Sequence, residues 1–214
     1  VIQALREFYG LQPAPPADLF RFFVWEILSE SALPARRDLA WQALRRLPAL
    51  TPDAMFRVPT KELLDAVGIA GAHRNETVDH LKALAGEFKR HRDMLTSEAL
   101  RGMKLLSAVR TLQRVEHAPA GARARALLFA VGLAVLPMDD DARRVVGRVM
   151  GEDVTGRHGR VRRWLRRKLP HDTATYRDAI IYLRHHAHHT CTKVAPHCGV
   201  CPLAGSCAWA IADR

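Results

Sequence analysis

The amino-acid sequence predicts an all-α protein, and three observations carry the prediction. Apolar residues recur at the helical spacing along most of the chain, capping and stop residues bracket those stretches, and no alternation of Val, Ile or Thr bounded by Asn-Gly or Asp-Gly turns occurs. In chain order, a short first helix is followed by the rigid link Leu11-Gln-Pro-Ala-Pro-Pro-Ala-Asp18. Leu19, Phe22, Phe23, Glu26 and Ile27 keep the helical period. Leu39, Ala43, Leu44 and Leu47 repeat it, with Asp38 as N-cap or first-turn acid and Pro48 as the stop. Thr60 is expected to cap a short helix that ends at Gly68. Asn75 to His91 carries a single apolar stripe of Val78, Leu81, Leu84, Ala85 and Phe88. Further helices are expected over 96–115, 123–134, 140–150, 157–168 and 173–188. The total is about nine or ten, joined by short connections bearing Pro and Gly.

Composition narrows the function. The 214 residues are 48% hydrophobic and 26% charged, which excludes collagen, coiled coil and wholesale disorder. The longest apolar run, Ala126 to Leu136, is far too short to span a membrane. No basic segment followed by an apolar stretch opens the chain, so the expected location is cytoplasmic, at the nucleoid if the source is bacterial. A net charge of +11 points to an anionic partner, nucleic acid before any other.

All four cysteines fall near the C-terminal end of the sequence, at Cys191, Cys198, Cys201 and Cys207. Disulfides among them would staple only one short loop, so the cluster reads as a metal site. Four thiolates this close in sequence suit either a tetrahedral zinc or a [4Fe–4S] cluster. A zinc ribbon normally has two C-x2-C knuckles. Here only Cys198 and Cys201 form one, and the uneven spacing with Pro196 and Pro202 fits a loop wrapped around a cubane better.

The flanking residues make the pattern specific. His-Ala-His-His-Thr-Cys191 and Cys201-Pro-Leu-Ala-Gly-Ser-Cys207 resemble the iron–sulfur loop of the endonuclease III branch of the helix-hairpin-helix DNA glycosylases. Upstream, Met138-Asp-Asp-Asp-Ala-Arg-Arg144-Val is similar to that family's aspartate at the start of a helix continuing to Arg-Val, with Asp139 in the catalytic position. A carboxylate suits that role because breaking an N-glycosidic bond builds positive charge on the sugar. The alternative for Asp139 is plain capping of the 140–150 helix. The resemblance implies a two-domain, all-α helix-hairpin-helix glycosylase fold. A six-helix barrel would span 19–135, a cluster domain would combine 1–18 with 136–214, and double-stranded DNA would lie in the cleft between them. It also implies a [4Fe–4S] cluster on Cys191, Cys198, Cys201 and Cys207, and phosphate contacts from Lys193 and His197.

Departures from the family pattern sharpen the expected activity. Bifunctional members carry a lysine after a Leu-Pro-Gly-Val-Gly-like hairpin. The matching stretch here is Ala118-Pro-Ala-Gly-Ala-Arg-Ala-Arg-Ala126, with Ala124 at or next to that place. Arg123 and Arg125 cannot form a Schiff base, and Lys104 lies well upstream, so lyase activity is expected to be weak or absent. Gly121 alone remains for close approach of a phosphate, with Arg123 and Arg125 supplying charge. Ser31 and Ile69 match the positions of the family's wedges beside a flipped nucleotide, and His73 is placed with them at the DNA. From Arg157 to Lys168 seven of twelve residues are cationic and none is acidic; Arg160, Arg163 and Arg167 share a helical face suited to phosphates. The histidines at 185, 186, 188 and 189 lead into the first cysteine.

Taken together, the resemblance and the departures from it imply a monomeric base-excision glycosylase acting on damaged bases, pyrimidines foremost, in duplex DNA and lacking strong lyase activity. A further C-terminal recognition domain, as in the adenine-specific relatives, is not expected. The competing expectation is a non-catalytic DNA-binding protein on the same scaffold.

Overall fold

The computed structural model describes residues 1–152 and 158–212. Helices follow in the order α1 (Ile2–Tyr9), α2 (Leu19–Ser31), α3 (Pro34–Arg46), α4 (Pro52–Arg57), α5 (Thr60–Gly68), α6 (Arg74–Arg90), α7 (Ser97–Gly102), α8 (Leu105–Gln113) and α9 (Ala120–Ala126). After a π-helical turn at Leu127–Val131 come α10 (Asp140–Met150), α11 (His158–Lys168), α12 (Thr173–His189), a 3-10 turn at Cys198–Val200 and α13 (Ala208–Ala212). Among the described residues there is no strand, and no helix is long and apolar enough to cross a membrane. The chain divides into two compact units, one of Pro15–Leu133 and one of Val1–Ala14 with Ala134–Arg214.

The Pro15–Leu133 unit is built around α2. Asp18 caps it by accepting the Arg21 amide at 2.9 Å, and Phe22, Phe23, Val24, Ile27 and Leu28 are each at most 1% exposed. Burying side chains of this size contributes about 1.5–3 kcal/mol each. Phe22 stacks on Phe129, and Phe20 and Phe23 meet the Phe88 ring edge-on, so α2 is held by α6 and by the π-helical turn after α9.

Several expected boundaries move, each for a local reason. The third helix starts at Pro34, whose ring suits the first helical position, so Asp38 lies inside the helix, paired with Arg37, rather than capping it. Pro59 takes the cap position expected of Thr60; Thr60 is the first helical residue, and its hydroxyl accepts from Lys82 Nζ at 2.7 Å. The expected 96–115 helix is two helices, because Gly102 ends the first and Met103 and Lys104 are extended. The expected 123–134 helix starts at Ala120, directly after Pro119, and ends through the π turn at Gly132, whose φ of 85° is left-handed. Short helices α4 and α13, absent from the sequence reading, bring the α-helices among the described residues to thirteen.

In the other unit α12 is central, with Tyr176, Ala179, Ile180, Leu183 and Ala187 buried. Helix α1 packs against it through Leu5 and Tyr9, and α10 packs on it as well. Gly151 ends α10 at φ 68°, and a Cβ there would lie 2.9 Å from the Ala208 Cβ of α13. Only glycine satisfies both the backbone conformation and this approach.

Candidate active site and cysteine centre

Asp139 stands at the N-cap of α10 in extended conformation. Its Oδ1 accepts the Ala142 amide at 2.9 Å, and its Oδ2 lies 3.4 Å from Arg184 Nε of α12. The side chain is 16% exposed, so the carboxylate is fixed on both sides yet still reachable. Capping and a positioned carboxylate are therefore properties of the same residue. The helix N-terminus favours its negative charge. Its two neighbours are differently placed. Asp140 is 72% exposed and pairs with Arg143. Asp141 pairs with His188 at 3.2 Å and Arg144 at 2.9 Å, and these partners hold its carboxyl well below the usual carboxylate range, the His188 hydrogen bond contributing most.

Two arginines one turn apart on α10 connect this end of the unit to the cysteines. Arg144, buried, donates from Nε to the Cys191 carbonyl at 3.0 Å and from Nη2 to the Ala187 carbonyl at 3.1 Å. Arg148 donates to the Thr192 carbonyl at 2.6 Å, to the Lys193 carbonyl at 2.9 Å and to Cys191 Sγ at 3.3 Å, while its guanidinium lies 5.0 Å from the Trp209 ring. Sequence reasoning named Arg144 only as part of a motif and missed Arg148; their i,i+4 spacing is the signal that both share a face.

The four cysteines form no disulfide and line one cavity together with His186, Arg148 and Trp209. Polar groups face two of the sulfurs. The Leu203 amide reaches Cys201 Sγ at 3.4 Å, His186 Nε2 stands 3.6 Å from the same sulfur, and Arg148 faces Cys191. Burial pushes the Cys201 thiol up, and the three neighbouring cysteines add to it. Burial, with the nearby His185 charge, brings His186 down to about 4, leaving a neutral imidazole whose Nδ1 meets the Tyr9 hydroxyl at 2.7 Å. Tyr9 also bonds Thr190, so α1 braces the entry to the loop. Among the described residues no three His, Cys, Asp or Glu side chains stand close enough to share one metal ion. Four cysteines around one cavity, with the Leu203 amide and the Arg148 guanidinium facing two of their sulfurs, are residues that could hold a metal centre.

The hairpin lies in the other unit, formed by α8, the 114–119 turn and α9. Glu87, 5% exposed on α6, accepts the amides of Glu116 and His117 at 2.9 and 3.1 Å. His80 Nε2 meets the His117 carbonyl at 2.8 Å, and Arg123 donates to the Val115 carbonyl at 2.9 Å. Sequence reasoning did not find Glu87, because nothing local marks a carboxylate that reaches a turn far along the chain. Gly121 is exposed, and a Cβ there would meet only the Arg125 guanidinium.

The expected phosphate contact at Arg125 is overturned. Arg125 is 6% exposed and makes a bidentate pair with Glu26 of α2, at 2.6 and 2.9 Å. Its position in α9 faces the core, where a guanidinium is tolerated only beside a carboxylate. Ala124 is exposed, and Lys104 sits exposed at the N-cap position of α8.

The remaining sequence-predicted residues are distributed over both units. Ile69 is 41% exposed just after α5, and His73 is exposed at the start of α6 without capping it through its side chain. Ser31 is the last residue of α2, and its side chain lies outside the described residues. Arg157 lies outside them too. Arg160, Arg163 and Arg167 are exposed on α11, with Arg160 paired to Glu152 at 3.1 Å. Lys193 and His197 are exposed on the cysteine loop.

No family model matches the chain, and no curated protein matches it. Solved structures do. The chain resembles a trapped endonuclease III–DNA covalent intermediate in an estranged-adenine complex with a TM-score of 0.68. It resembles a non-covalent endonuclease III–DNA complex and a thermostable thymine-DNA glycosylase with 0.72 each. Each is 15% identical and covers 99% of this chain, which spans 94%, 94% and 95% of theirs in turn. Over nearly its whole length, at low identity, this chain has the endonuclease III fold.

Proposed function

We propose that the protein is a DNA base-excision glycosylase that hydrolyses the N-glycosidic bond of a damaged base, a pyrimidine, and leaves the strand uncut. The observation that carries this reading is Asp139, a carboxylate held by the Ala142 amide and Arg184 but still 16% exposed, on a fold shared with DNA-bound endonuclease III. In this reading duplex DNA is bent and the damaged nucleotide flipped out. Water attacks C1′ of the sugar as the C1′–N bond breaks. Asp139 stabilises the positive charge on the sugar and accepts the water's proton, and the base departs with the bonding pair as an anion that takes a proton from solvent.

Strand cleavage through a Schiff base needs an amine, and Ala124 offers none at the hairpin. Cys191, Cys198, Cys201 and Cys207 would hold a [4Fe–4S] cluster, one thiolate per iron. When bound, such a cluster supplies a fixed core for the 191–207 loop, where Lys193 and His197 are exposed for phosphates. Ser31, Ile69 and His73 would line the flipped nucleotide's gap, and Gly121 with Arg123 the hairpin's phosphate. Arg160, Arg163 and Arg167 would follow the backbone. The protein would work as a monomer in the cytoplasm, at the nucleoid if bacterial.

The test uses duplexes bearing uracil, an oxidised pyrimidine or an abasic site, with strands analysed before and after alkali. Cleavage only after alkali, lost in Asp139→Asn, is the expected result. Asn keeps the cap to Ala142, so the loss reports the carboxylate's charge rather than the helix. Nicking of the abasic duplex without alkali would sink the monofunctional assignment. Binding to every duplex without base release would leave the non-catalytic DNA-binding alternative.

A further inference from the structure

The outer face of α11 carries a dense run of exposed arginines. Val161 and Leu165, both 1% exposed, turn one side of this helix into the core, and Arg162, Arg163, Arg166 and Arg167 stand exposed on the rest. With Gly159 and His171 these four arginines line an open concavity of about 380 Å³. His171 closes one end, its Nε2 3.1 Å from Arg166 Nη2. None of the four has an acidic partner among the described residues; only Arg160 does, with Glu152.

Such a face is costly to the folded chain. Arg162 with Arg166 and Arg163 with Arg167 are like-charge pairs one turn apart, each destabilising the helix, and no acid occupies its first turn to offset them. The residues are all arginine, whose planar fork grips phosphate oxygens in pairs and keeps its charge at any physiological pH. Beside Gly159 the surface is open, and a Cβ built there would meet nothing within 4 Å.

We propose that this concavity is a second phosphodiester-binding site for double-stranded DNA, independent of base sequence, in which the paired columns Arg162/Arg166 and Arg163/Arg167 hold the backbone. It rests on and deepens the glycosylase reading, which of this helix placed Arg160, Arg163 and Arg167 at DNA, by adding Arg162 and Arg166 to the backbone grip. Its role is to keep the protein on undamaged duplex through counterion release.

The experiment measures the affinity of the full-length protein for an undamaged duplex between 50 and 200 mM salt. Each lost phosphate contact lowers the salt slope by about 0.9. The exposed-face variant Arg162→Gln/Arg166→Gln is therefore expected to lower the slope by ~1.8, shrinking the affinity change across that salt range ~12-fold. Gln keeps helix propensity and removes repulsion, so the variant is expected to fold, with circular dichroism as the check. As a measurement on the unaltered protein, duplex DNA is expected to protect Arg162 and Arg166 from phenylglyoxal, read by mass spectrometry. An unchanged slope, or equal modification with and without DNA, overturns the proposal. So does protection by anionic vesicles but not by duplex. Base release is assayed separately on the unaltered protein. If no lesion is processed while the slope still depends on Arg162 and Arg166, the glycosylase reading fails and this site stands.

Discussion

Replacing Arg125 by Met tests whether the hairpin's second helix is anchored from within. Arg125 and Glu26 are 7% and 2% exposed at the side chain and joined by two charge-assisted bonds of 2.6 and 2.9 Å. Removing the guanidinium leaves a carboxylate buried in α2 without its counter-charge, a change that costs about 3–5 kcal/mol. For a chain of this length that corresponds to a fall in melting temperature of roughly 6–20 °C. Replacing both residues, as Glu26→Met/Arg125→Met, removes the unpaired charge and is expected to recover at least ~2 kcal/mol of the loss. Calorimetry on the wild type, both single variants and the double variant supplies the cycle. Arg125→Met should leave the salt slope of DNA binding unchanged, because a buried residue displaces no counterions. A single-variant cost below ~1 kcal/mol, or a slope lowered by one contact, would refute the structural anchor and restore the surface role that sequence alone suggested.

Other outcomes follow from single contacts. Glu87→Gln keeps the shape but offers one acceptor oxygen to two amides; a loss of about 1–3 kcal/mol is expected, seen as faster hydrogen exchange at Glu116 and His117. Asp141 has its carboxyl lowered in the folded state, so its contribution is present at neutral pH and lost only as pH falls below the unfolded value of about 4 and through the lower folded one. Asp141→Asn is therefore expected to cost about 1–2 kcal/mol at pH 7 and progressively less below pH 4, measured by urea titration at each pH; a difference that grows on acidification contradicts the pairing.

The endonuclease III-like, all-α fold was legible because it is written in local patterns. Apolar periodicity marks α2, α6 and α12, and the cysteine spacing with its flanks is a short contiguous motif. Boundaries were less legible, as at Pro34 and Pro59, where a proline draws the chain into the helix earlier than the polar residue that follows. The split at Met103–Lys104 likewise depends on two extended residues that no apolar pattern announces.

By itself the sequence determined the helical class, the four-thiol loop, the aspartate at the head of α10 and the absence of an amine in the hairpin. Each of these is a matter of residue type at short range. Tertiary structure alone decided the direction in which each charge points. Arg125 and Arg163 are both arginines in basic helices, yet one is buried against Glu26 and the other is open to solvent. Likewise Glu87 and Arg148 bind backbone groups 29 to 45 residues away. The physical reason is that a charged side chain's role is set by its desolvation and its partner, and both depend on which distant segment folding brings beside it.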